Sequence, residues 1–419
     1  MHLRLFSTMR VLPRALPRLT PRLTVCAAVF AAITLAGCRT GAFPQYSAAY
    51  REYVYVANGG SNTVSVLDAV DVRPQTTITV GMHPDALIAN HHRNEIYAAS
   101  RGNNGNGSVA FIDAETNRVV ATVPVRKSPA ALAIGPKGEF LYAANAGSNN
   151  VSVISIAARA RIGTVGAGEG PDSLVVSPDG NTLVVANGGS GSVTVMDLPA
   201  HGLPLLRSTF SGCPGANSVV ILPDSSKAFI ACTTGRQVMD LGLRTPPAKH
   251  VQSTEIREQD RVLALLDVGQ TPVHLALKPD GGEVFATNLN GDTVSEIDAG
   301  TNEVEDSYLI GSAPSWAVVS ADDSLLWVAN HNSDTMAVYS IDDGRLVNTV
   351  HVGDGPGPSV FSADQHLLFA ADTQSGDVSV IRTFNRNVHR EAIYGTLFTL
   401  LPAGSAPDAI VDKAFRLPR

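Results

Sequence analysis

The sequence predicts an all-β fold: a β-propeller of eight four-stranded blades, with seven blades as the alternative, closed by its own C-terminal strand. Three observations carry this. A strand–turn–strand motif, "YVYVANGGSNTVSVLD" at 53–68, recurs with variations starting at residues 97, 141, 183, 284, 326 and 368, and in degraded form at 228. Turn prolines at 84, 129, 171, 214, 272, 314, 356 and 407 lie 45, 42, 43, 58, 42, 42 and 51 residues apart, and 42 to 45 is the length of one propeller blade. Finally, the first copy starts in mid-repeat, and the chain ends on the piece that copy lacks.

Each unit reads as strands A to D. Strand A follows the proline ("DALIAN", 85–90). A tight turn, often Asp-Gly ("SPDGN", 177–181), leads to strand B, a good hairpin signal. Strand B is almost wholly apolar ("TLVVAN"), as a strand covered on both faces should be. It ends in Asn at 58, 145, 187, 288 and 330, a residue that tolerates turn geometry. Strand C alternates ("TVSVLD"), and D is β-branched and more polar. Asp68, Asp113 and Asp298 end strand C and are expected to cap turns. Each blade leaves apolar faces that only neighbouring blades can cover. The last element, "APDAIVDKAF" (406–415), is a lone strand A, expected to pair with the N-terminal B, C and D.

Residues 52–415 are thus expected to form one domain. The repeat resembles the YVTN-type β-propeller repeat, named for the tetrapeptide occupied here by "YVAN" (55–58), "YAAN", "VVAN", "FATN" and "WVAN". The resemblance implies the fold and leaves the role open.

The N-terminus is of another kind. Residues 1–37 carry five arginines and no acid, then an apolar stretch at 24–37 that is too short for a membrane span. "LAGC" (35–38) resembles the lipobox of bacterial lipoproteins. That resemblance implies a signal peptide at 1–37, a lipidated Cys38 and a tether at 38–51. Arg39 after the cysteine favours the outer membrane under the same family rule. Anchoring in the cell envelope would then be through acyl chains only. Loss of the leader moves the net charge from −7 to about −12. Spread negative charge argues against nucleic acid.

The fifth unit departs most. A polar insertion at 242–260 lengthens its C–D connection and reads as a tolerated surface loop or a partner-binding flap. Cys213 and Cys232 fall at one end of this unit, as a disulfide or as two buried thiols.

The D–A turns and B–C loops should share one face around the central channel. Most place small residues there. The exceptions, His83, Arg101, His274, Trp316 and His331, are the candidate ligand-binding residues, with Lys127, Glu169 and Asp372 beside them. A three-His metal site at His83, His274 and His331 has no dense ligand motif behind it. No CxxC, HExxH, GxSxG or P-loop pattern occurs, and no catalytic residue is assigned; "GAGEGP" (166–171) reads as a turn. "HHR" (91–93) belongs to the opposite face. The primary reading is a lipid-anchored binding or scaffold propeller for a protein, glycan or small ligand. The alternatives are a lactonase-like hydrolase, by resemblance to lactonase propellers, and a tetrapyrrole- or metal-binding propeller, by similarity to those that hold haem d₁.

Overall fold

A computed structural model describes residues 44–244, 258–386 and 392–417. The expected leader and Cys38 lie outside the described residues, as does 245–257 of the insertion. No helix among the described residues is long and apolar enough to cross a membrane.

The described chain forms eight four-stranded antiparallel sheets. Blade one joins the C-terminal strand Pro407–Arg416 (strand A) to Tyr50–Asn58, Thr63–Asp68 and Arg73–Thr79. Blades two to eight follow in chain order, their A strands beginning at Pro84, Pro129, Pro171, Ala216, Pro272, Pro314 and Pro356. Each A strand touches the A strands of the blades on either side, and that of blade eight meets that of blade one, which closes the ring. Eight blades and closure by the last strand are both as the sequence implies. One detail differs. In blade five the proline is Pro214, and Ala216, two residues on, opens strand A. The residue before strand A is left-handed in all eight blades, from Ala406 (φ 51°) and His83 (φ 50°) to Gly355 (φ 67°). Blade five meets that need with Gly215 (φ 69°).

The apolar B strands are buried as expected: in Tyr53–Asn58 and in Thr182–Asn187 no residue is exposed. Apolar clusters run between neighbouring blades, so that Ile96 and Ile112 of blade two pack with Tyr55 and Val66 of blade one. The Asp residues ending strand C cap their turns. Asp68 accepts from the backbone of Val70 and Asp71, Asp113 from Glu115 and Thr116, and Asp298 from Gly300 and Thr301.

The Asn at the end of strand B does something the sequence reading did not assign. Its amide straps strand C: Asn58 Nδ2 donates to Thr63 and Ser65, Asn187 to Ser192 and Thr194, Asn288 to Thr293 and Ser295. The incoming D–A connection must then pass close above. A Cβ placed at Gly168, Gly269 or Gly404 would fall 2.6–2.7 Å from the Asn side chain, so glycine stands three residues before strand A there.

Blade five holds the same junction covalently. Cys213 takes the glycine position, Cys232 takes the Asn position, and the two form a disulfide. A 19-residue separation corresponds to about 3 kcal/mol in the chain-entropy model. Reduction is therefore expected to lower the urea midpoint, with m rising as the freed unfolded chain exposes more surface, and Cys213→Gly/Cys232→Asn should recover part of the loss by rebuilding the strap. An unchanged midpoint after complete thiol release would refute the bond's role.

Blade eight replaces the strap Asn with Asp372, which is fully buried. Burial, reinforced by neighbouring Asp377 and opposed by the Ser379 hydroxyl, pushes its carboxyl up to about 8. The folded state therefore keeps a proton that the unfolded chain releases near its ordinary value of 3.8. Stability due to this group falls as pH rises between those values. Asp372→Asn is expected to raise stability at pH 7 by about 1–3 kcal/mol and to flatten that part of the pH profile. Melting curves from pH 4 to 8 check this; a variant that melts lower than wild type at pH 7 contradicts it.

Candidate functional site

The top face is made of the D–A and B–C connections. Strand A starts there with a β-bulge in every blade: Pro84 pairs Ser100 and Ala86 pairs Ala99, so that Asp85 has no cross-strand partner. Asp172 is skipped in the same way in blade four, and Asp408 in blade one. A bulge re-aims the side chain it carries. Here it frees the second residue of each innermost strand, at the top end of the blade, from its ladder.

Read around the ring, those eight positions are Asp408, Asp85, Ala130, Asp172, Asn217, Val273, Ser315 and Gly357. The two halves differ. On blades five to eight the polar members are tied into the wall: Asn217 Nδ2 donates to the Val273 carbonyl at 3.3 Å, and Ser315 Oγ to that of Pro356 at 3.1 Å. On blades one, two and four they are carboxylates. Asp408 lies against Gly59 and Asp172 against Gly188, each so close that a Cβ on the glycine would collide with it.

Arg101, the first residue of the B–C turn of blade two, stands where blades one and four have those glycines. It forms an ion pair with Asp85. Burial raises the Asp85 carboxyl and Arg101 pulls it back. Burial also raises Asp172, and raises Asp408 with help from Asp85, and Arg101 lowers both. One guanidinium thus acts on three carboxyls contributed by three blades. His83 lies beside this group. Its side chain is exposed, its backbone N–H donates to Asn62 Oδ1 of blade one at 2.9 Å, and it adds a smaller lowering to Asp85 and Asp408.

Of the residues singled out from sequence, Arg101 and His83 therefore share a site. The other three do not join it. His274 and Trp316 are the third residues of their A strands, one step below the turns, on blades six and seven. They stack on each other at 3.7 Å between ring centroids. His274 Nδ1 accepts from the Ala317 N–H at 3.3 Å, which leaves its proton on Nε2, and burial pushes it down to about 3. The next blade back uses Ser218 for the same link, accepting from the Leu275 N–H. His274 is thus a neutral wall residue. His331 sits on the B–C turn of blade seven, its Nε2 3.0 Å from Gln374 Nε2 of blade eight. His83 is on blade two, far round the ring from blades six and seven, so the three histidines do not converge. Among the described residues no three His, Cys, Asp or Glu side chains are placed to hold a metal. Lys127, the last residue of strand D of blade two, and Glu169, in the D–A turn before blade four, are exposed, and Asp372 is the buried strap.

The family model for lactonases, described as a seven-bladed β-propeller, matches residues 18–220. The chain has the fold of a propeller family. The match covers somewhat less than half of the chain and includes Asp85, Arg101 and Asp172. The propeller here has one blade more than that description. No curated protein matches. Among solved structures, hydrazine synthase of Kuenenia stuttgartiensis is similar at 22% identity and TM-score 0.53, over 72% of this chain and 95% of that one. A candidate 6-phosphogluconolactonase of Bacteroides uniformis is similar at 16% identity and TM-score 0.58, over 87% and 100%. The dihydro-heme d1 dehydrogenase NirN, in complex with DHE, is similar at 14% identity and TM-score 0.64, over 89% and 78%. At these identities the likeness is one of fold.

Proposed function

We propose that this protein is a lipid-anchored propeller of the bacterial envelope that binds a small, neutral, polyhydroxylated ligand at the channel mouth. The carrying observation is the Arg101 guanidinium paired with Asp85 and lowering the carboxyls of Asp172 and Asp408, all three acids on bulged positions of their blades. Carboxylates and a guanidinium are strong acceptors and donors for hydroxyl groups. Three acids against one fixed cation disfavour a phosphorylated or acidic sugar. Strand B of blade one starts at Tyr50, on the face opposite the mouth.

The lactonase family match favours a second reading on the same residues. A sugar lactone held by Arg101 would be opened by water, with a carboxylate taking the proton as water adds to the carbonyl. The ring C–O bond then breaks, and the alkoxide receives a proton to give the hydroxy acid. Burial that raises these carboxyls above their ordinary value makes the carboxylate form a stronger base, which suits such proton transfer.

Thermal-shift screening against neutral polyols, sugar lactones and their phosphorylated forms tests the binding reading. A shift with neutral members, lost in Arg101→Ala, is expected; a preference for the phosphorylated forms would dismiss it. A pH-stat assay on gluconolactone decides the second reading, which falls if acid release never exceeds the spontaneous rate.

A further inference from the structure

The strand that closes the ring carries an acid where it meets a buried one. Glu52, near the start of Tyr50–Asn58, is 1% exposed. Both its carboxyl oxygens accept hydrogen bonds: Oε1 from the Ala363 N–H of blade eight at 2.7 Å, and Oε2 from the Tyr50 hydroxyl at 2.7 Å. A carboxyl that only accepts is in its ionised form. Asp412, on the closing strand Pro407–Arg416, pairs with Val54, so it shares a sheet face with Glu52 and lies diagonal to it. The two carboxyls are hydrogen-bonded to each other. One of them must bring a proton, and Asp412 is the one left to do so. Its Oδ1 is sealed from solvent with no partner among the described residues, a poor place for a negative charge.

The surroundings do little to hold a second charge there. Lys413 is 8% exposed and turns to the other face, where Nζ donates to the Asn90 carbonyl of blade two at 2.6 Å. Arg51 gives its guanidinium to the carbonyls of Ala48 and Tyr50. Tyr55 is bonded to Asn117, and burial keeps its phenol neutral. Asp364 and His366, in the turn that holds Ala363, lie 3.2 Å from each other. Asp85 and Asp372 sit at the mouth ends of the neighbouring strands of blades two and eight. Burial, then Glu52, pushes the Asp412 carboxyl from 3.8 up to about 9, against a smaller lowering by Lys413.

We propose that the seam of the ring is a pH-sensitive latch: Asp412 and Glu52 share one proton, and the closing strand lets go by giving that proton to solvent. Hydrogen bonds and packing alone join this strand to its blade, whereas every other blade is continuous in the chain. Closed, the pair keeps the proton; released, Asp412 meets water and ionises near 3.8. The latch is therefore at full strength below 3.8 and weakens as pH rises toward about 9. One proton makes opening about tenfold easier per pH unit in that window.

Hydrogen exchange of the full chain, read on peptides covering 407–416 at pH 6, 7 and 8, tests this. With the intrinsic exchange rate divided out, protection of this strand should fall about tenfold per pH unit. Protection of Pro171–Val176, the A strand of blade four, should fall less. Asp412→Asn should flatten the dependence, because an amide keeps its hydrogens at every pH. Glu52→Gln should reduce it, since Asp412 then ionises without a neighbouring carboxylate. Asp372→Asn should leave it in place. Protection independent of pH in wild type, the wild-type slope in both seam variants, loss of the slope in Asp372→Asn, or an equal fall in blade four would overturn the proposal. If Asp412→Asn loses its native circular dichroism, Glu52→Gln decides.

Discussion

A chain ending at residue 406 is expected to have no cooperative thermal transition. Strand Pro407–Arg416 is the innermost strand of blade one and pairs with Tyr50–Asn58 along its whole length. It also packs on the A strands of blades eight and two, so its loss opens the ring at both sides. Phe415 packs on Tyr53 at 6.0 Å between ring centroids, Ile410 is buried, and Lys413 Nζ donates to the Asn90 carbonyl of blade two at 2.6 Å. Each large apolar side chain exposed costs about 1.5–3 kcal/mol. Several lost together approach the whole stability of a folded domain, about 5–15 kcal/mol. Every other blade is continuous in the chain. Circular dichroism melting is the check, and a sharp transition close to that of the full chain would contradict the closure.

Asp260→Ala is expected to destabilise the protein by about 3–5 kcal/mol, the usual result of stripping one partner from a buried ion pair. Asp260 has a fully buried carboxylate at the root of the blade-five insertion. Arg207, on the outer strand of blade four, grips it with two bonds of 2.7 and 2.8 Å, and Ser208 Oγ and the Arg244 N–H complete its shell. The Arg207 side chain is only 8% exposed, so it cannot recover its hydration when Asp260 is removed. Asp197, at 2.9 Å, still faces it and keeps the loss toward the lower end. Urea unfolding measures the change. A loss below about 1 kcal/mol, the range of exposed ion pairs, would show that the insertion root is not held this way. Whatever residues 245–257 contact, both ends of the insertion are tied here, at blades four and five.

The ring was legible because its cause is periodic. The Pro-to-Pro spacing, the two-sided burial of strand B and the split first blade each follow from a rule that repeats, and the structure repeats with them. Blade five was harder to read for a stated reason. Pro214 looks like the repeat proline, but the left-handed position before strand A falls on Gly215. Counting from Ala216 puts Cys213 on the glycine position and Cys232 on the Asn position, the two that touch in every other blade. That correspondence is present in the sequence and is sharper than the shared place of the two cysteines at one end of the unit.

The site was legible only in part. Arg101 and His83 stand out because they break a run of small residues. Asp85, Asp172 and Asp408 do not stand out although "HPD", "GPD" and "APD" are plain in the chain, because the residue after the turn proline reads as an ordinary first residue of strand A. The bulge that frees that residue from its ladder is not visible in sequence. His274 and Trp316 lie one position further along strand A, where they stack on each other between blades six and seven. The long C and D strands of blade eight, Asp377–Arg386 and Ala392–Pro402, left a faint mark, the 51-residue spacing between Pro356 and Pro407. Only the paired strands show that the excess lengthens a hairpin.

The central claim is that the acid-and-arginine mouth is the ligand site. Calorimetric titration of gluconolactone into wild type and Arg101→Ala tests it most directly. Binding by wild type, with Arg101→Ala weakened at least tenfold (about 1.4 kcal/mol), is the predicted result. Equal heats from wild type and Arg101→Ala, or no binding by either, would contradict it.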